Sequence, residues 1–102
     1  MDLKAGTRLK SAVCDTEVIV VRGPVGEIDL RCGGIPLVMF DVEPPAGATM
    51  ANGFDGGTLL GKRYADGSTG IEVLCTKAGG GSLSIGDTPL LVKEAKPLPA
   101  SD

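Results

Sequence analysis

A chain of 102 residues with net charge −3 and 42% apolar residues has room for one domain around a modest core. Its ten basic residues are scattered, with no run longer than Lys62-Arg63, and Phe40, Phe54 and Tyr64 are its only aromatics. This argues against nucleic-acid binding, where clustered Lys and Arg meet phosphates and rings stack on bases. No apolar run approaches the roughly 18 residues of a membrane span, and Met1 to Lys10 lacks a signal-peptide core, so no membrane partner is expected. The expected setting is cytoplasmic, with all three cysteines reduced.

Taken in order, the chain reads as short strands separated by glycine and proline turns. After a loose Met1 to Ala5, Thr7 to Val13 forms a first strand with Leu9 and Val13 on one face. Glu17-Val-Ile-Val-Val-Arg22 is the clearest strand, four β-formers in a row. Gly23-Pro-Val-Gly26 is turn chemistry and Glu27 to Cys32 alternates, which predicts a hairpin with Arg22 opposite Glu27 and Ile19 opposite Leu30. Gly33-Gly34 breaks the chain, and Ile35 to Phe40 makes a fourth strand, placed at an edge by Pro36. Residues 43–56 read as a linker. Strands resume at Thr58 to Tyr64, Gly70 to Lys77, Ser82 to Ile85 and Pro89 to Lys93, and Lys96 to Asp102 is a second loose end.

No segment has helical periodicity. The expected fold is therefore all-β, a small barrel or sandwich of about eight short antiparallel strands in a single domain, 1–102. Two halves, 6–42 and 57–95, share anchors in the same order. Gly6-Thr7-x-Leu9 recurs as Gly57-Thr58-x-Leu60, Glu17-Val18 as Glu72-Val73, and Gly33-x-x-Pro36-Leu37 as Gly86-x-x-Pro89-Leu90. A four-strand unit that cannot bury its apolar face alone would do so by pairing with a copy of itself.

The unit resembles desulforedoxin and the N-terminal module of desulfoferrodoxins, which share a rubredoxin-like fold. Ser11-Ala-Val-Cys14 stands at the family's first Cys-x-x-Cys knuckle, Val18 and Val20 on its strand, and Gly26 in its turn. Leu30-Arg31-Cys32-Gly33 stands at the second knuckle, followed by Pro36-Leu37-Val38. The resemblance implies an iron or zinc centre of four thiolates per unit. Here Cys14 and Cys32 keep two of those positions, while Ser11 and Arg31 occupy the others. In the second half Ile85 replaces a knuckle cysteine, and Cys75 lies on a different strand.

Three readings of the cysteines follow. Cys32 and Cys75 share faces with Ile28 and Leu30, and with Ile71 and Val73, as small core side chains do. Alternatively Cys14, Cys32 and Cys75 bind a metal with an outside ligand, or two Cys14–Cys32 pairs bind one across a dimer; thiolates select zinc, copper(I) or iron. The third reading is a Cys14–Cys32 disulfide. With no His in the chain, a conventional four-ligand zinc site of nitrogen and sulfur cannot come from one copy, and a nucleophilic Cys has no customary base. Asp15 beside Cys14 is expected to raise a thiol pKa. Gly79-Gly80-Gly81 lacks the Gly-Lys-Ser/Thr of a phosphate loop and reads as a hairpin turn. Asp15, Glu17, Asp29 and Glu72 read as a solvated face.

The expectation is a non-enzymatic accessory or binding module, with a thiolate metal or electron-transfer protein as the alternative. Four consecutive apolar residues, Leu37 to Phe40, on an edge strand point to a homo-oligomer through Ile35 to Phe40.

Overall fold

The computed structural model describes residues 3–44 and 46–93. Its strands are β1 (Arg8–Lys10), β2 (Glu17–Arg22), β3 (Leu30–Cys32), β4 (Ile35–Pro36), β5 (Val38–Met39), β6 (Arg63–Ala65), β7 (Glu72–Lys77), β8 (Leu83–Ile85), β9 (Thr88–Pro89) and β10 (Leu91–Lys93). All pairings are antiparallel, in a six-stranded sheet ordered β10-β6-β7-β2-β1-β5 and a four-stranded sheet ordered β4-β3-β8-β9. The all-β expectation holds, as an open sandwich-like pair of sheets rather than a closed barrel. Among the described residues there is no helix long and apolar enough to cross a membrane. Of the loose end expected over Met1 to Ala5, Met1 and Asp2 lie outside the described residues, as does Lys96 to Asp102, but Leu3 is not loose: it is buried in the core.

The two longest strands form the centre. β2 and β7 pair with Val18 opposite Cys75 and Val20 opposite Val73. All four are buried, because alternate residues of each strand face the core. Facing them across the core are Leu30, Cys32 and Leu83 from the smaller sheet. The expected hairpin of residues 17–22 with 27–32 does not form. β2 instead takes β1 and β7 as neighbours, and residues 23–29 carry the chain across the core to the other sheet. Val18 and Val20 of β2 are buried as a result, while Val21 is exposed. A strand with a partner on each side satisfies both rows of backbone groups, which a terminal hairpin would not.

The chain traces the same pattern twice. Pairs β1–β2, β1–β5 and β3–β4 recur as β6–β7, β6–β10 and β8–β9, and β2–β7 with β3–β8 join the halves. Turn hydrogen bonds show which residues correspond. Gly6 N–H donates to Val20 O at 2.8 Å, and Gly61 N–H to Cys75 O at 2.9 Å. The spatial counterpart of Gly6-Thr7-Arg8-Leu9 is therefore Gly61-Lys62-Arg63-Tyr64, and Gly57-Thr58 belongs to an additional arm. The other two sequence anchors coincide with corresponding strands and turns.

Ile35 to Phe40 is two strands, not one. Leu37, fully buried, separates β4 at the rim of one sheet from β5 at the rim of the other. Pro36 and Pro89 both sit on outer strands, where a missing N–H costs no ladder bond. Gly33 and Gly34, with φ of 66° and 80°, make the two-residue turn from β3 to β4 that only glycine adopts easily. Residues 50–54 of the expected linker are tied down: Ala51 N–H donates to Gly33 O at 2.7 Å, and Ser82 N–H to Phe54 O at 2.8 Å.

Candidate thiol site between the two halves

Between β1 and β2 the chain makes a tight reversal over residues 11–16, closed by Ser11 N–H donating to Thr16 O at 2.9 Å. The Ser11 Oγ accepts from the N–H groups of Val13 and Cys14, each at 3.1 Å. This side-chain turn holds Cys14 half-buried over the end of β3. There Cys32 is inaccessible to solvent, and the two Sγ atoms lie 3.7 Å apart.

The second half repeats the reversal without the thiols. Asp66 N–H donates to Ile71 O, and Asp66 Oδ2 accepts from Thr69 N–H at 2.9 Å. Asp66 and Thr69 thus occupy the places of Ser11 and Cys14, and Ile85 that of Cys32. What the second half contributes to the thiols is its glycine loop. Gly81 N–H points at Cys14 Sγ from 3.4 Å.

Three hydroxyls complete the site. The Cys14 thiol lies 3.3 Å from both Ser11 Oγ and Thr16 Oγ1. Thr16 Oγ1 is 2.8 Å from Thr58 Oγ1, which accepts from Gly79 N–H at 3.0 Å. Thr16 and Thr58 are both buried. When Cys14 is a thiolate, these groups align into one donor chain: Gly79 N–H to Thr58, Thr58 to Thr16, Thr16 to sulfur. A Cβ on Gly79 would collide with Thr16 Oγ1. On Gly81 it would stand 2.9 Å from the Gly33 nitrogen and 3.1 Å from Cys32 Sγ. These glycines serve close approach to the site, beyond the hairpin turn that their spacing suggests.

The two thiols are driven apart in acidity. Burial alone pushes the Cys14 thiol up, but hydrogen bonds from Ser11, Thr16 and Gly81 N–H outweigh it and bring the pKa to about 7. The effect expected of Asp15 does not prevail: its side chain is exposed while these donors touch the sulfur. Burial pushes the Cys32 thiol up to about 12, and the neighbouring Cys14 charge adds to it. The first proton therefore leaves from Cys14.

Cys75 takes no part in this pair. It is buried on β7, and its thiol donates to Lys77 O at 3.2 Å. Among the described residues no three His, Cys, Asp or Glu side chains converge on a metal position, so the three-thiol set is not assembled in one chain. Arg31 is half-buried, binding Asp29 Oδ2 at 2.7 Å and Gly34 O at 2.9 Å, and so braces the β3–β4 turn. Of the four carboxylates expected on a solvated face, Glu72 is buried, held by Lys93 at 2.8 Å and Arg63 at 3.4 Å.

The fold and site define an all-β, two-sheet protein of repeated strand order, with one asymmetric dithiol. No family model, curated protein or solved structure matches the chain. The place of Thr16, Thr58, Gly79 and Gly81 around the thiols was not expected from the sequence, which marked Thr58 as a repeat anchor and the two glycines as a turn. The spacing Ser11-x-x-Cys14-x-Thr16, hydroxyls on either side of a cysteine, was the one local signal; Thr58 carries none.

Proposed function

We propose that the protein is a small, non-enzymatic, cytoplasmic β module whose working part is a two-thiolate site for a soft metal ion, with Cys14 and Cys32 as ligands. The observation that carries this reading is the 3.7 Å separation of the two sulfurs. A tetrahedral zinc ion with Zn–S bonds of about 2.3 Å sets its sulfurs about 3.8 Å apart. Cys14, with a pKa of about 7, supplies the first thiolate readily. A bound cation would displace the proton of Cys32, as coordinating thiols are deprotonated outright. Zinc, copper(I) and iron are the ions such ligands select. The four-thiolate centre of the desulforedoxin pattern does not fit this chain, because Ser11 and Arg31 stand at two ligand positions and Arg31 is bound to Asp29 and Gly34. The remaining coordination would come from outside the chain, from a second copy's thiol pair or a small-molecule donor.

Elemental analysis of the freshly purified protein, with a free-thiol count on the same sample, tests the proposal. The expected result is about one zinc, copper or iron ion per chain or per dimer, with Cys14 and Cys32 shielded from thiol reagents until a chelator is added. Metal-free protein that still binds none of these ions after addition, with Cys14 reactive throughout, would overturn it.

We further propose that the module self-associates through Ile35 to Phe40. Supporting this, Val38–Met39 is one of the two outer strands of the six-stranded sheet and Met39 is 40% exposed. An outer strand offers unpaired backbone groups to a second copy.

A further inference from the structure

The Cys14–Cys32 pair also has what a reversible dithiol needs, independently of any metal. We propose that it exchanges with disulfides of the glutathione class, Cys14 attacking first and Cys32 resolving, to close an intramolecular Cys14–Cys32 disulfide.

Access sets the order of attack. Cys14 is half-buried on an irregular reversal, whereas Cys32 is 0% exposed at the end of a paired strand. A disulfide in solution reaches only the first. The sulfurs, 3.7 Å apart, must close to about 2 Å for a bond. Cys32 is fixed by its strand pairing with Leu83, so Cys14 supplies the movement; residues 11–16 have no strand partner to lose. Cys75 stays out of the reaction, since its thiol is buried and turned to Lys77 O.

The chemistry balances in two steps. Cys14 gives up its proton to solvent and its sulfur attacks one sulfur of R–S–S–R; the mixed bond forms as the original bond breaks, and RS⁻ leaves with the electron pair. Cys32 then gives up its proton and attacks Cys14 Sγ, expelling the second RS⁻. Two protein thiols are oxidised to one disulfide, and one small disulfide is reduced to two thiols, which take up the two released protons. Donors already in place around Cys14, Gly81 N–H at 3.4 Å and Thr16 Oγ1 at 3.3 Å, can hold the sulfur's charge during the first step and its return when the bond is reduced.

The experiment uses the full chain, metal-free in chelator, titrated with reduced and oxidised glutathione and read by intact mass and thiol count. The expected product is two hydrogens lighter, with one reactive thiol on denaturation instead of three, Cys14–Cys32 linked in the peptide map, and full reversal by dithiothreitol. Cys32→Ser should halt at a glutathione adduct on Cys14, and native Cys14→Ser should take up none. Wild-type protein that gives only adducts, interchain bridges or a bond to Cys75 at every glutathione ratio would overturn the inference. Because no metal is present, the result stands or falls apart from the metal proposal.

Discussion

Around Cys14 the hydroxyls of Ser11 and Thr16 and the Gly81 N–H lie within 3.4 Å of sulfur, so the charged form is met by donors that do not need to reorganise. Alkylation of metal-free protein should show this as a rate with its midpoint near pH 7, where an ordinary thiol gives 9.0. Thr16→Val removes one donor and cuts the link to Thr58, so its midpoint should move up toward the ordinary value. A stopped-flow profile with a neutral alkylating agent reads both. The sign for stability is definite. With its folded pKa depressed, Cys14 contributes stability fully above pH 9, lost as pH falls through about 7. Cys32, with its folded pKa raised to about 12, contributes below pH 9 and loses its share as pH rises toward 12.

The strands at the β10 side of the large sheet are tied by one carboxylate. Glu72 opens β7 and bridges to Arg63 on β6 and Lys93 on β10. The Lys93 hydrogen bond, opposed by burial and reinforced by the charges of Lys93, Arg63 and Arg22, holds its carboxyl below the usual range. Stability from a depressed carboxyl is present above its unfolded pKa, about 4.5 here, and is lost as pH falls through the lower folded value. Glu72→Gln should lower Tm by about 5 °C at pH 7. Thermal melts should show that difference shrinking as pH falls below about 4.5, where the stabilising charge begins to be lost. A difference independent of pH would assign the effect to packing. The counterpart position, Glu17, faces Lys10 across β1–β2, so each half opens its longest strand with a glutamate.

For the whole molecule, the decisive feature is that neither half completes a sheet. β2–β7 and β3–β8 are the central pairings of the two sheets, and both cross between halves. Val18, Val20 and Leu30 are covered only because Val73, Cys75 and Leu83 come with the other half. Closing the centre this way leaves β5 and β10 as outer strands of the large sheet. Self-association through β5 predicts a dimer or larger species by light scattering, reduced to monomer by Met39→Lys, since a lysine on an outer strand opposes edge pairing. A wild-type monomer at high concentration would exclude the edge as an interface.

Sequence alone was enough for the all-β class, most strand positions and the glycine turns, because side-chain alternation and turn residues act over a few neighbours. It also singled out Cys14 and Cys32 as a pair, through the knuckle-like residues around each. Which strand lies beside which was decided by the tertiary structure: the alternation of Glu17–Arg22 suits a hairpin with residues 27–32, yet the strand pairs instead with β7 in a ladder that shifts register twice, and only the shared core chooses. The same holds for the site. Thr58, Gly79 and Gly81 lie more than forty residues from Cys14 along the chain, and the repeated fold alone brings them to its sulfur. The direction of the Cys14 pKa was hidden for that reason: the adjacent Asp15 is visible in the sequence, but the donors that outweigh burial are set in place by the reversal and by the opposite half.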